Sequence, residues 1–401
     1  MTVAFELFMN PAFGVESDGG KQYLVNDQEG LRLNLTENVC QAIYDATHKL
    51  VGTTSGRDKG TSTAVIDYLR RLRVLVEPDY VSTAAEGICS ASAVPVGTSW
   101  VQELRNLAEW VVIGCGAAFS PTDFGNPASG MLPVRRGVQK LLQPGPLWSY
   151  DTGTYLGVGS TLVLDYGDII YRQSTDRASD VHDRLRFASR QIVEFGGKPL
   201  LIGGDHSLTY PVVTELAQSI PGLRVVHFDA HADRRSLDEV ASSTAMPDCG
   251  NFVEYLLRQF PELPILTIGL RGWTLNHLAT GSRYRYITAA DVLKGHGAAE
   301  VEEFCRGCPV YITTDVDVLD PSVAPEVAYA SPAGLTLPHL QELIAIATRS
   351  AASVVGADFV EACDWNSGRN LAAMAQVCAV AVLLDNDRAK RQTSSLAGHS
   401  C

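Results

Sequence analysis

The sequence has no apolar run of the roughly 18–20 residues that a membrane-spanning helix needs. Residues 1–10 also show no basic segment followed by a cleavable apolar run. There is no excess of basic residues, because 45 Asp and Glu outnumber 32 Lys and Arg and give a formal net charge of −13. A broad basic face for nucleic acid is therefore not expected. These absences predict a cytoplasmic protein without membrane or nucleic-acid partners.

The sequence also has no cysteine framework of the kind that staples small secreted domains. Its nine cysteines are an odd number and are scattered through the chain, so reduced thiols are expected. The one close pair, Cys305 and Cys308, has no second pair and no histidine beside it. We therefore interpret this pair as small, partly buried residues before a strand, and not as a zinc or redox site.

From Trp110 onward, short runs of Val, Ile and Leu recur, each followed by Gly or Asp and then by a helical pattern. Continuous apolar runs indicate strands buried on both faces, and their alternation with helices predicts an α/β domain with a parallel sheet over 108–390. The predicted strands are 110–114, 162–168, 200–204, 224–229, 264–270, 310–315 and 353–361. The predicted helices are 179–195, 208–219, 251–260, 298–306 and 338–350.

The first 80 residues have a different pattern, typical of a small α+β extension. We predict strands at 23–25, 31–35 and 74–77, and helices at 37–50 and 63–72. A stretch rich in Ser, Ala, Gly and Thr at 81–107 is predicted to be a linker, and 391–401 a tail.

Three predicted strands end in groups of metal-ligand residues, in the segments GGDHS (203–207), HFDAHAD (227–233) and TTDVDVLDP (313–321). Alternate residues of an extended chain share a face, and the carboxyl ends of parallel strands lie side by side. Four carboxylates and two imidazoles are therefore expected to converge. They are His206, Asp229, His231, Asp233, Asp315 and Asp317.

So many carboxylates in a small volume would repel one another unless cations neutralised them. Six ligands exceed what one tetrahedral ion takes, but they suit two ions that share bridging carboxylates. An oxygen-rich set with two nitrogens favours a harder divalent ion. We therefore predict two Mn²⁺ ions, with other divalent ions as alternatives.

These motifs resemble the ureohydrolase family, which includes arginases, agmatinases and formimidoylglutamases. The segments that carry the resemblance are GGDHS, DAHAD (229–233), DVDVLDP (315–321), APEVAYASPAGLT (324–336) and ADFVEACDWNSGRNLAA (357–373). The resemblance implies a three-layer α/β/α sandwich around a mostly parallel sheet of about eight strands. It also implies that the six residues above bind two manganese ions.

The resemblance assigns roles to two carboxylates. Glu361 would receive the planar guanidinium group of the substrate through charge-assisted hydrogen bonds. Asp233 would bind metal and also move a proton from the activated water to the leaving amine. The sequence departs from the family where arginases and agmatinases usually have a His-Gly pair, because Cys249-Gly250 aligns there. Arg234 and Arg235 stand where a substrate carboxylate could pair with them, or they are ordinary surface arginines.

The expected activity is hydrolysis of a guanidino group to urea and an amine. The first candidate is arginine, either free or within a peptide, which would leave ornithine. The peptide version rests on the extension, which resembles winged-helix modules that bind leader peptides, although subunit contacts in a homo-oligomer are the other interpretation. Agmatine, guanidinobutyrate, guanidine and formimidoylglutamate are alternative substrates. A peptide-binding scaffold with an inactive hydrolase domain is the non-enzymatic alternative.

Overall fold

The structure is a computed structural model of the 401-residue chain. It divides into two compact units, one of Met1–Ala84 with Ile170–Thr175 and one of Ala85–Ile169 with Asp176–Cys401. The residues that the structure describes are 8–9, 14–18, 21–26, 31–34, 75–76, 110–119, 125–141, 147–150, 154–156, 163–169, 171, 176–194, 196–236, 246–274, 280–364 and 370–397.

The first unit contains five short strands among its described residues. Strands β2, β3 and β4 form an antiparallel sheet, and β1 pairs with β5 in the same sense. The strands are β1 Phe8–Met9, β2 Gly14–Asp18, β3 Lys21–Asn26, β4 Leu31–Asn34 and β5 Leu75–Val76. The three predicted strands coincide with β3, β4 and β5. The two predicted helices and the predicted linker lie outside the described residues, so the winged-helix interpretation stays a prediction.

The second unit is built on an eight-stranded sheet in which every neighbouring pair is parallel. Its strands are β6 Trp110–Cys115, β9 Val163–Asp168, β10 Lys198–Gly203, β11 Arg224–Phe228, β12 Ile265–Leu270, β13 Tyr284–Thr288, β14 Pro309–Asp315 and β15 Ser353–Val360. A separate antiparallel pair is formed by β7 Leu147–Ser149 and β8 Thr154–Leu156. The predicted parallel α/β sheet is confirmed.

Helices cover both faces of the sheet. They are α1 Met131–Leu141, α2 Ala178–Glu194, α3 Thr209–Ser219, α4 Phe252–Gln259, α5 Ala289–Leu293, α6 Ala298–Cys305, α7 Leu337–Ser350 and α8 Leu371–Ala397. On one face, alternate strand residues such as Val226 and Ile312 pack in a single core with Leu343 of α7 and Val380 of α8. On the other face, α2 packs on α3 and α3 on α4. This is the expected three-layer sandwich.

The order of the strands determines where the site forms. Across the sheet they run β13-β12-β11-β14-β15-β10-β6-β9, so β11, β14, β15 and β10 occupy the centre. Thr314 of β14 lies opposite both Phe228 of β11 and Phe359 of β15, and Phe359 lies opposite Ile202 of β10. In this register, the residues that follow the four strands emerge together at the carboxyl edge of the sheet.

Some elements were not predicted from the sequence. Strand β13 is an edge strand in which only Tyr284 and Ile287 are buried, so it lacks the continuous apolar run of the central strands. Helix α8 is rich in alanine and buried along several faces, which blurs its helical periodicity. It continues to Ala397, so the tail boundary that we predicted at 391 falls inside this helix. Helices α1 and α5 were also not predicted.

Candidate metal centre

The turn after β10 positions the first candidate ligand. The chain passes through Gly204 and Asp205 into a 3₁₀ turn that begins at His206. The Asp205 carboxylate accepts hydrogen bonds from the backbone N–H of Ser207 at 3.2 Å and from its hydroxyl at 2.5 Å. A Cβ atom at Gly204 would lie 1.8 Å from the backbone oxygen of Ala117, so only glycine fits there. This turn fixes His206 at the centre of the sheet edge.

The segments after β11 and β14 are tied together by their own carboxylates. Asp229 follows β11 directly, and Asp315 is the last residue of β14. Asp315 accepts a hydrogen bond from the backbone N–H of Asp317 at 2.7 Å. Asp317 in turn accepts one from the N–H of Ala230 at 3.1 Å. Both segments therefore present their carboxylates toward the same place.

A first group of ligand atoms surrounds Nδ1 of His206. The distances from Nδ1 to carboxylate oxygens are 3.0 Å for Asp229, 3.3 Å for Asp233 and 3.5 Å for Asp315. All four residues are buried. Nδ1 itself forms no hydrogen bond with any described residue. A buried nitrogen without a hydrogen bond, with three carboxylate oxygens around it, is the arrangement that a divalent cation would complete.

A second group surrounds Nδ1 of His231. This atom lies 3.0 Å from an oxygen of Asp317 and 3.4 Å from Oδ1 of Asp229. The His206 group uses the other oxygen of Asp229, Oδ2. Asp229 thus faces both groups, as a carboxylate that bridges two ions would. The His231 side chain is 43% exposed, so this half of the site is open to solvent.

The carboxylates crowd one another strongly. Burial and the neighbouring charge of Asp229 raise the pKa of Asp233 to about 7. Burial and the charge of Asp317 raise the pKa of Asp315 well above its usual range. Although burial opposes it, Asp317 and Asp229 raise the pKa of His231 to about 12. Without cations the site must therefore hold protons, so the donor set fits divalent metal ions, which would take the place of those protons.

Glu361 lies beside this cluster with an unusual backbone. It is buried directly after β15, and its φ of 66° is in the left-handed region that non-glycine residues rarely adopt. Its N–H donates to the carbonyl of Gly204 at 2.8 Å, and its carboxylate accepts from the N–H of His206 at 2.7 Å. Burial, together with the charges of Asp315 and Asp205, raises the pKa of Glu361 well above its usual range. These bonds hold the carboxylate next to His206.

The structure brings all the predicted ligands and Glu361 to one edge of the sheet. The six predicted ligands, without Glu361, form two groups of potential ligand atoms that share Asp229. The first of these groups also includes His227, which the sequence analysis did not select. Its Nε2 lies 2.9 Å from Oδ2 of Asp229, and its Nδ1 lies 3.0 Å from the hydroxyl of Thr267.

The two arginines after the DAHAD segment are both engaged. Arg234 forms an ion pair with Glu254 at 3.0 Å, and its guanidinium lies 4.4 Å from the centre of the Tyr284 ring. Arg235 pairs with Asp248 and is more exposed. A substrate carboxylate would therefore have to compete with an existing partner at either position.

The Cys-Gly pair is adjacent to the metal-ligand segment. The N–H of Arg235 donates to the carbonyl of Gly250 at 3.0 Å, and the N–H of Val253 donates to that of Asp233 at 3.1 Å. Cys249 is partly buried and forms no disulfide with any described cysteine. A role for this thiol in place of the family's histidine stays a prediction.

The other cysteines of interest take no part in the site. Cys305 and Cys308 both carry free thiols, and burial raises the pKa of Cys305 to about 12. Neither belongs to a group of potential metal ligands in the part of the chain that the structure describes.

Sequence reasoning missed the buried polar residues behind the ligands. Thr313 is hydrogen-bonded to His206 at 2.8 Å and to the carboxylate of Asp358 at 2.6 Å, and all three are fully buried. The available signal was a set of polar residues inside strands that otherwise read as apolar. His227, Thr313 and Asp358 all interrupt such runs.

Arg271 is a further residue that the sequence did not single out. It follows β12, and among the described residues its guanidinium donates hydrogen bonds only to backbone carbonyls. The carbonyl oxygens belong to Gly269, Asp317, Val318, Leu319 and Ser331. The side chain thus joins the end of β12 to the segment that carries the candidate ligand Asp317.

The sequence of this chain is similar to those of known proteins. The family model "Arginase family" matches residues 121–383. Mitochondrial agmatinase of Gallus gallus is 29% identical over 292 residues, which is 69% of this chain and 78% of that protein. Mitochondrial guanidino acid hydrolase of Homo sapiens is 28% identical over 314 residues, covering 71% of this chain and 78% of that protein.

Solved structures give the same result. A hypothetical agmatinase from Burkholderia thailandensis superposes with a TM-score of 0.60 at 25% identity, covering 71% of this chain and 87% of that one. No helix in the described part of the chain is long and apolar enough to cross a membrane. With the family model matching well over half of its residues, and with the sheet order and ligand cluster described above, this chain belongs to the arginase family.

Proposed function

We propose that this protein is a metal-dependent hydrolase that cleaves a guanidino group to urea and an amine. The observation that carries the proposal is the pair of ligand groups sharing Asp229, which places His206, Asp233 and Asp315 on one side and His231 and Asp317 on the other. When bound there, two divalent cations supply the activation of water for attack on the guanidinium carbon. Mn²⁺ is the ion that we propose, because oxygen ligands dominate the set.

Two side chains of this protein would act on the substrate and the proton. Glu361 is buried and held by backbone hydrogen bonds, so its carboxylate can orient a guanidinium, a planar cation that forms paired charge-assisted bonds. Asp233 is buried in the ligand group, 3.3 Å from Nδ1 of His206, so its carboxylate would be placed to accept a proton from an activated water. It would pass that proton to the leaving amine.

The substrate is proposed as arginine, free or within a peptide, with agmatine and guanidino acids as the alternatives. The names of the chicken and human relatives support the alternatives. Arg234 already forms an ion pair with Glu254 and lies over the Tyr284 ring. These contacts give no support to the binding of a substrate carboxylate at Arg234. The convergence of all six candidate ligand residues at one sheet edge supports an active enzyme over the inactive-scaffold hypothesis.

The test is urea release by the full-length protein with added Mn²⁺, using arginine, arginyl peptides, agmatine, guanidinobutyrate and guanidine in parallel. Ammonia and formamide are measured with formimidoylglutamate. Asp317→Asn should abolish turnover, whereas Asp183→Asn, the same change at an exposed position on α2, should leave it unchanged. Absence of urea from every guanidino compound, with Mn²⁺ shown to be bound, would overturn the proposal.

A further inference from the structure

A chain of buried hydroxyl groups lies behind His206, on the side away from the carboxylates. Nε2 of His206 is 2.8 Å from Oγ1 of Thr313. The same oxygen is 2.6 Å from Oδ1 of Asp358 and 3.2 Å from the hydroxyl of Thr209. Oδ2 of Asp358 accepts a hydrogen bond from Tyr311 at 2.7 Å. All five side chains are fully buried, so water is not available to substitute for any partner.

The directions of these hydrogen bonds follow from the donors and acceptors available. An ionised carboxylate only accepts, so the single hydroxyl proton of Thr313 must be directed to Asp358. The Thr313 oxygen is then left with lone pairs, and it can only accept from His206. When His206 is neutral, as a metal ligand must be, its one ring proton therefore lies on Nε2, and Nδ1 presents a lone pair. Nδ1 is the atom that faces the carboxylates of Asp229, Asp233 and Asp315.

We propose that Thr313 and Asp358 form a relay that positions His206 as a metal ligand by fixing its proton on Nε2. The inference rests on the proposed function, because it concerns how strongly the site binds metal. A ring nitrogen binds a cation only through its lone pair, and the hydrogen bond made by the other nitrogen decides which one is free. Thr313 and Asp358 are positioning residues, since they act through His206.

The relay serves one ion and not the other. Nε2 of His231 faces the hydroxyl of Ser331 at 3.4 Å, in a half-exposed position. A hydroxyl at that distance leaves the tautomer of His231 free to change. Loss of the relay should therefore weaken the ion held by the His206 group and spare the ion held by His231, Asp229 and Asp317. A merely structural defect would weaken both.

The adjacent residue of β14 provides a matched control. Thr314 is as fully buried as Thr313, but its hydroxyl has no hydrogen-bond partner among the described residues. Thr313→Val and Thr314→Val remove the same group from neighbouring positions of one strand. Thr313→Ser retains the hydroxyl and should restore the relay. Asp358→Asn keeps the shape but allows the amide to donate, which would reverse the direction of the Thr313 hydrogen bond.

The experiment is a titration of the metal-depleted full-length protein with Mn²⁺, in which binding is measured by calorimetry and by electron paramagnetic resonance. Melting temperatures show whether each variant is folded. We expect the wild-type protein, Thr314→Val and Thr313→Ser to bind two ions. In Thr313→Val and Asp358→Asn, one ion should bind about 10- to 100-fold more weakly, the usual effect of losing such a partner, while the other changes by less than about threefold.

Two results would overturn the relay alone. The first is a Thr313→Val protein that binds both ions as tightly as Thr314→Val does. The second is equal weakening of both ions together with a lowered melting temperature, which would indicate a structural role. A wild-type protein that binds no Mn²⁺, Zn²⁺ or Co²⁺ would instead overturn the metal centre, and the relay with it.

Discussion

Replacing Arg271 by methionine should destabilise the larger unit of this protein markedly. Its guanidinium donates to five backbone carbonyls, at distances that include 2.9 Å to Ser331 and 3.1 Å to Val318 and Leu319. Each such hydrogen bond contributes about 1 kcal/mol net, and a carbonyl left without a partner costs at least as much when buried. Because the position is only partly buried, we expect the free energy of unfolding to fall by about 3–5 kcal/mol.

The measurement is guanidinium chloride unfolding followed by circular dichroism, with a chelator present so that metal binding does not contribute. Arg283→Met is the control, since within the described part of the chain this arginine donates a single hydrogen bond, to the carbonyl of Leu257 at 3.2 Å. The control should lose about 1 kcal/mol or less. The stability lost by Arg271→Lys should lie between the losses of the two methionine variants, because an ammonium has three donors and lacks the planar fork of a guanidinium.

The reasoning would be refuted if Arg271→Met and Arg283→Met lowered the free energy of unfolding by amounts that differ by less than about 1 kcal/mol. That result would mean that water replaces the guanidinium at little cost. The carbonyl cluster around Arg271 would then be a consequence of how the segment near Asp317 folds, and not its cause.

Three further predictions concern the site itself. Metal binding must displace the proton of Asp233, whose pKa of about 7 is raised above its ordinary value of 3.8. The metal-free protein should therefore lose stability as the pH rises from the ordinary pKa to the raised one. The increase in melting temperature caused by Mn²⁺ should be larger at pH 8 than at pH 5.5. An equal or smaller increase at pH 8 would contradict this prediction. Glu361→Gln should lower kcat/KM for a guanidino substrate by about 100-fold, because the substrate loses a charged hydrogen-bond partner. The affinity for Mn²⁺ should change little. An unchanged kcat/KM would show that Glu361 does not bind the substrate. Asp229→Asn should weaken both ions in calorimetry, whereas Asp317→Asn should weaken mainly one, and the opposite pattern would rule out Asp229 as the bridge.

The candidate ligands could be predicted from the sequence because each directly follows an apolar run. A run such as Arg224–Phe228 identifies a buried strand, and the polar residues after it are then placed at the sheet edge. The relay behind His206 could not be predicted in this way. Thr313 and Asp358 lie on different strands, and their pairing depends on the register of β14 against β15, in which they are opposite one another.

Arg271 was missed for a related reason. Its partners are backbone carbonyls, which carry no sequence signature, and they lie 46 to 60 residues further along the chain, except for Gly269. Edge strand β13 and helix α8 were missed because their hydrophobic patterns clearly match neither the two-residue period of a strand nor the 3.6-residue period of a helix. In the N-terminal extension, the helices predicted at 37–50 and 63–72 lie outside the described residues, so they stay predictions.

The position of β15 in the sheet has a consequence for how this protein is made. β15 is the last of the described strands along the chain, but it lies between β14 and β10, so it joins a block of β13, β12, β11 and β14 to a block of β10, β6 and β9. His206 belongs to one block, while Asp229 and Asp315 belong to the other. A nascent chain still lacking residues 353–360 would expose two unpaired strand edges, each prone to pair wrongly. Metal binding at the complete site must therefore wait until β15 has left the ribosome.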